Sequence, residues 1–233
     1  MKNNRLSFIL IYAIVILIYK QEENMIKGLE ILCHSSIKIS KSKIIYIDPF
    51  RIKEEKNDAD YIFITHGHYD HFSEEDIRKI KNKETVIVVT KDLEERALKT
   101  GFNALNVITV EPDKEYYIGN ITVKTIPAYN VDKQFHPKEN NWVGYIINID
   151  GVSYYIAGDT DITNENLKVK CDVALVPVGG TYTMDFKEAS KLINLIQPKI
   201  AIPTHYGEIV GNKQDAEVFK KLIRRNIKCK ILL

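Results

Sequence analysis

From residue 29 onward, short apolar runs alternate with charged segments of helical character. Leu29–Leu32, Ser36–Ser40 and Lys43–Ile47 read as a meander of short antiparallel β-strands. The first two are divided by Cys33-His34-Ser35, and the third ends in Asp48-Pro49-Phe50. Asp60–Thr65 is an apolar, β-rich run ending at a small polar residue. Ser73-Glu74-Glu75-Asp76 supplies an N-cap and an acidic first turn, predicting a helix over 74–81. Strand Thr85–Val89, a helix over 91–99 closed by Gly101, and strand Val107–Val110 follow. Two hairpins are signalled by two-residue turns. Glu115–Ile118 and Ile121–Ile126 flank Gly119-Asn120, and Trp142–Ile149 and Val152–Ala157 flank Asp150-Gly151. Asp172–Val176 leads to Asp185-Phe186-Lys187-Glu188, a capping box that opens a helix to about Ile196. Strand Lys199–Pro203, a helix near 213–225 and strand Ile227–Leu232 close the chain. Strands and helices joined by short links predict a layered α/β domain.

The 233 residues are 45% hydrophobic and 27% charged, enough for one fairly large domain with a well-buried core. Net charge is +2 and there is no basic stripe, so nucleic acid is not expected as a partner. The most basic stretch, Lys220 to Arg225, has the spacing of a solvated helix face. Cys33, Cys171 and Cys229 are odd in number and far apart, which argues against a disulfide framework; each reads as a small buried residue. At the N-terminus, Lys2 and Arg5 precede Leu6–Tyr19, which is apolar apart from Ser7. This resembles a signal anchor, without a small-residue cleavage site and shorter than the ~20 residues of a comfortable helical span. The competing reading starts translation at Met25, leaving residues 1–24 unmade. The folded domain is 25–233 in both readings. It is membrane-anchored in the first, through residues 6–19 alone, and cytoplasmic in the second.

The chemistry gathers at strand ends. Thr65–Ser73 places His66, His68, Asp70 and His71 within six residues on the loop between a buried strand and a helix. Imidazole and carboxylate suit Zn²⁺ and neighbouring divalent ions. Pro127-Ala128-Tyr129-Asn130 follows a strand, with His136 six residues further on. Gly158-Asp159-Thr160 sets a carboxylate after a strand and a glycine, suited to close metal approach. Gly179–Thr183 is a glycine-containing loop in which Tyr182 is a candidate to bind substrate, or equally a structural tyrosine. Thr204-His205-Tyr206-Gly207 again puts a histidine at a strand end, with Tyr206 beside it as a second candidate substrate contact.

His66-x-His68-x-Asp70-His71, Gly158-Asp159-Thr160 and Thr204-His205-Tyr206-Gly207, in this order, resemble the metallo-β-lactamase superfamily. The nearest group is the one containing ascorbate-6-phosphate lactonase-like and related Zn-dependent hydrolases. The resemblance implies a four-layer αββα sandwich with the site at one edge. It implies two divalent ions, Zn²⁺ with Mn²⁺ as the alternative. One would be held by His66, His68 and either His136 or Asn130, the other by Asp70, His71 and His205, with Asp159 bridging. A hydroxide shared by the ions would attack a small lactone, ester or phosphodiester, with Asp70 able to shuttle a proton. His34 is expected near the metals and the substrate, and Asp48-Pro49-Phe50-Arg51 at the floor of the site. His68 stands where redox di-iron relatives carry a carboxylate, which favours hydrolysis. Two positions depart from the pattern: Asn130 stands where the relatives place a metal histidine, and Ile156 where they often place another histidine. These departures motivate the alternative, a metal- or ligand-binding protein of the same fold with little turnover. The expected partner is a small-molecule substrate, and assembly into a homo-oligomer is left open.

Overall fold

Along each strand of the computed structural model, which describes residues 19–233, alternate side chains enter different apolar layers. The first sheet comprises β1 (Leu29–Cys33), β2 (Ser36–Ser40), β3 (Ile44–Ile47), β4 (Tyr61–Phe63), β5 (Val86–Thr90) and β6 (Val107–Val110), in that spatial order. It is antiparallel up to β3 and parallel beyond. The second sheet comprises β7 (Glu115–Ile118), β8 (Ile121–Pro127), β9 (Val143–Ile149), β10 (Val152–Ile156), β11 (Val173–Pro177), β12 (Ile200–Thr204) and β13 (Lys228–Cys229), also in sequence order. Antiparallel pairing joins β7 to β10, and parallel pairing joins β10 to β13. The Asp150-Gly151 turn has φ of 50° and 76°, the doubly positive geometry of a tight hairpin.

Ile45, Ile47, Phe63, Tyr145, Ile147, Tyr154 and Leu175 meet between the sheets. On the outer face of the first sheet, Ile62, Ile64, Ile87 and Val89 pack with α1 (Glu74–Ile80) and the segment containing α2 (Glu94–Lys99). On the outer face of the second, Tyr155, Ala174, Val176 and Ala201 pack with α3 (Phe186–Ile196) and α4 (Lys213–Leu222). The result is the αββα sandwich. One polar contact crosses its centre: Tyr145 Oη donates to the carbonyl of Ile64 at 2.6 Å. The same region of the second sheet donates again, from Val143 N–H to Thr65 O at 3.2 Å. The start of the 64–73 loop is therefore held from the opposite sheet.

Local differences from the sequence reading have local causes. The segment 91–99 divides into a 3₁₀ turn, Lys91–Leu93, followed by α2, because Thr90 offers no side-chain cap to the first turn. The last helix stops at Leu222, where Asn194 of α3 donates to Leu222 O at 2.9 Å and accepts from Arg224 N–H at 2.9 Å. The final strand shortens to two paired residues. The apolar run proposed as an anchor lies outside the described residues except for Tyr19. Among the described residues, no helix is long and apolar enough to cross a membrane.

Candidate metal centre

Asp48, at the end of β3 with φ +47°, organises the ligand loop. It accepts from Thr65 N–H at 2.8 Å and Thr65 Oγ1–H at 2.7 Å, and lies 2.7 Å from His71 Nδ1. Because the Thr65 hydroxyl proton goes to Asp48, its oxygen is left to accept from His66 Nδ1–H at 3.0 Å. One buried carboxylate thus holds His71 directly and His66 through Thr65, turning the Nε2 lone pairs of both rings toward the site. The loop closes on itself through His71 N–H and Phe72 N–H to His68 O, 3.1 and 2.8 Å. Arg96 Nη1 secures its outer side on Gly67 O at 2.8 Å.

The second sheet supplies the remaining groups from strand ends. Asn130, after β8, receives His136 N–H at 3.0 Å, lies 3.0 Å from His136 Nδ1, and donates through Nδ2 to Tyr182 O at 3.0 Å. Its amide oxygen is therefore engaged with His136, and the His136 Nε2 lone pair is left facing inward. On this geometry His136 joins the donor cluster and Asn130 holds it in place. Gly158, at φ +65°, precedes Asp159; a Cβ there would lie 3.2 Å from Thr65 Cβ, so glycine lets the two sheet ends close together.

Three overlapping groups of donor atoms result, each within 4.8 Å: His66, His68, His136 and Asp159; His34, Asp70 and His205; and His71, Asp159 and His205. Asp159 faces both directions. Its Oδ2 lies 3.2 Å from His136 Nε2 and 3.2 Å from His205 Nε2, and its Oδ1 lies 3.4 Å from His71 Nε2. His66 Nε2 and His68 Nδ1 are 3.0 Å apart. Ligands placed at ordinary zinc distances on a tetrahedron stand about 3.3 Å from one another. His71 Nε2, His136 Nε2, Asp159 Oδ1 and both ring nitrogens of His34 are buried without a hydrogen-bond partner. Buried polar atoms of a folded protein are seldom left unpaired, and this set of nitrogen and oxygen donors fits divalent ions.

The electrostatics divide the cluster. Burial pushes His66 well below the usual imidazole range, with His71 adding to the effect. Burial and then His136 lower His68, and burial lowers His34. For His71 burial also works downward, but Asp159 and Asp48 overcome it and raise the ring well above its ordinary value. His205 is raised in the same way, by Asp159 against burial. Burial works to raise the Asp159 and Asp70 carboxyls, yet both end below their ordinary value. His205 and His71 pull Asp159 down, and the His205 and His34 rings facing Asp70 pull it down. Burial pushes the Asp48 carboxyl up while His71 and Thr65 oppose it. We place that pair's proton on His71 Nδ1, since Thr65 already donates twice to Asp48.

A cavity of about 260 Å³ opens over the cluster, lined by His68, Asp70, His136, Asp159 and His205 on one side and by Tyr69, Phe135, Tyr182 and Ile209 on the other. A larger cavity, about 840 Å³, lies beyond Trp142 and contains none of the histidines. Trp142 separates the two: its ring packs 5.0 Å from His66, 5.0 Å from His68 and 5.7 Å from His136. Of the sequence-derived candidates, His66, His68, Asp70, His71, His136, Asp159 and His205 converge, and Tyr182 lines the cavity. Two substrate candidates do not. Tyr206, two residues past the end of β12, is 1% exposed and packs in the core beneath α3 and α4. His34 is fully buried at φ +54°, its ring 3.9 Å from His205 and its Nε2 3.4 Å from Asp70 Oδ2. It joins the donor cluster instead of meeting substrate. Sequence reasoning missed Trp142, Tyr69, Phe135 and Ile209. The chain's sole tryptophan, next to the β9 strand, was the one available signal for Trp142.

Residues 29–205 match the family model described as a beta-lactamase superfamily domain. The chain is 33% identical over 205 residues to a UPF0173 metal-dependent hydrolase of Thermococcus kodakarensis, covering 82% of this chain and 90% of that one. The solved structure of a candidate metal-dependent hydrolase from Parabacteroides distasonis superposes with TM-score 0.74 at 26% identity, covering 88% of this chain and 91% of that one. Igni18 from Ignicoccus hospitalis, a metallo hydrolase, shares the fold with TM-score 0.71 at 24% identity, covering 87% and 93%.

Proposed function

The chain belongs to the metallo-β-lactamase superfamily and, within it, to the UPF0173 family, and on that premise we propose that it is a metal-dependent hydrolase of a small lactone, ester or phosphodiester. The observation that carries the reading is the convergence of buried, unpartnered imidazole nitrogens on the shared carboxylate of Asp159. His66, His68 and His136 with Asp159 would hold one divalent ion, and Asp70, His71 and His205 with Asp159 a second. The donor chemistry suits Zn²⁺, with Mn²⁺ as the alternative. When bound there, such ions supply Lewis acidity that activates water and polarises a carbonyl or phosphoryl oxygen.

The chain's own residues do the remaining work. Asp48 and Asn130 orient His71 and His136, so that both rings enter the reaction already aligned. Asp70 lines the cavity, and we assign it the transfer of a proton from water to the leaving group. Phe135 and Tyr182 shield the reacting bond from bulk water. The likeness to the ascorbate-6-phosphate lactonase-like group makes a lactone ring the first substrate class to test. The deciding experiment is metal content per chain by mass spectrometry, combined with hydrolysis of a lactone and a phosphodiester. Two ions per chain and turnover abolished in His71→Ala are expected. No ion after reconstitution, or full turnover by His71→Ala, rejects the reading.

A further inference from the structure

The cavity has a polar floor and carbon-rich walls. Phe135 meets Tyr182 edge to face, with centroids 4.7 Å apart at 89°. Phe50 braces Tyr69 from behind, 6.0 Å away and also edge-on. Phe135 and Tyr69 stand 46% and 66% exposed, large rings presented to solvent beside a buried polar centre. Among the described residues, no lysine or arginine lines this cavity. The cations of neighbouring loops are engaged elsewhere: Arg51 with Glu208 at 2.8 Å, Lys133 with Asp161 at 2.5 Å, and Lys138 with Glu165 at 2.8 Å.

We infer that the substrate is an uncharged lactone or ester carrying a short hydrocarbon arm beside its ester bond, seated against Phe135, Tyr182 and Ile209 with its carbonyl over the donor cluster. The inference rests on the hydrolase reading and narrows its substrate class. Burying a hydrocarbon arm against these walls removes apolar surface from water on both partners. A phosphate or other anion at the far end of the substrate would lose its hydration there without a cation to meet it. A sugar or nucleoside would bring several hydroxyls, and beside the donor cluster the walls offer them only the phenol groups of Tyr69 and Tyr182. At about 260 Å³ the space sits just under the ~300–1,000 Å³ of clefts for drug-sized ligands, so the arm is short. In the reaction, water oxygen bonds to the carbonyl carbon and the acyl C–O bond breaks. One water proton ends on the departing alkoxide oxygen, and the other is released as the product acid ionises to carboxylate.

The test uses metal-loaded full-length protein and three lactones: four-carbon γ-butyrolactone, eight-carbon γ-octalactone, and a six-carbon lactone bearing a terminal phosphate. A phosphodiester, bis(p-nitrophenyl) phosphate, is run alongside. Turnover is measured for all, and binding of the two uncharged lactones by calorimetry. With burial worth up to about fourfold per methylene, kcat/KM and affinity for γ-octalactone should exceed those for γ-butyrolactone by more than tenfold. Phe135→Ala should reduce that ratio below threefold through KM, and Phe135→Leu should restore most of it. The phosphorylated lactone should be the poorest lactone. Absence of chain-length dependence, or preference for the phosphorylated lactone or the diester, overturns the inference. Turnover lost in His71→Ala would then leave the hydrolase reading standing. Chain-length-dependent binding with no turnover of any compound supports the apolar subsite and overturns the hydrolase reading.

Discussion

The two sides of Asp159 are built differently. On one side His66, His68 and His136 present only imidazole, backed by the Trp142 ring and oriented by Thr65 and Asn130. On the other, Asp70, His71, His205 and His34 mix imidazole with an anionic carboxylate, and Asp48 stands behind His71. The first side lowers His66 and His68, chiefly by burial. The second raises His71 and His205, because carboxylates overcome the same burial. Burial alone therefore does not set the state of these histidines; the placement of three aspartates does.

Removing the carboxylate common to both sides tests the comparison most severely. Asp159→Asn should weaken both sides at once and lower kcat/KM by roughly 10³-fold or more, read by metal content and steady-state kinetics. An unchanged metal count would show that the two sides do not depend on it.

Proton competition should then separate the sides. A ligand histidine raised in the metal-free protein must lose its proton to bind, so affinity on the His71/His205 side should fall as pH drops from 8 to 6. The slope should be about tenfold per pH unit for each proton displaced. His66 and His68 are lowered instead, so their side should change less over that range. Chelator-competition titrations at pH 6, 7 and 8 measure both; two equal slopes would contradict the division.

The supporting residues should act on one side each. Asp48→Asn and Asn130→Ala should each cost about 10- to 100-fold in affinity or activity. Asp48→Asn should act on the His71 side and Asn130→Ala on the His136 side, resolved by titrating the tighter and weaker ions separately. The smallest effect is expected from Tyr206→Phe. The Tyr206 hydroxyl is buried without a partner, so its removal should leave activity unchanged and stability within about 1 kcal/mol of wild type or slightly higher. A tenfold fall in kcat/KM would return Tyr206 to the site.

Much of this was legible in the chain. The strands could be read because each carries its own alternation or apolar run between turn residues, and the capping box at Asp185 marks its helix by local chemistry. The ligand loop could be read because His66, His68, Asp70 and His71 are neighbours in sequence. Helix and strand ends were less legible where the stop comes from a distant side chain, as Asn194 does for α4. Asn130 and His136 could not be ranked from sequence, since both follow the same strand and both offer a ligand atom. Tyr206 and Tyr182 looked alike as tyrosines beside site loops, and only the direction of each side chain tells them apart.

By itself, then, the sequence determined the order of elements, the layered α/β class and the residue types that gather at strand ends, because these depend on local periodicity and on contiguous motifs. The tertiary structure decided which ring nitrogens face inward, that Asn130 serves His136, that His34 joins the donor cluster, and that Phe135 and Tyr182 form an apolar wall. Each of those outcomes depends on a hydrogen bond or packing contact between residues remote or several positions apart in sequence. Their relative orientation exists only once the two sheets have closed on their shared core.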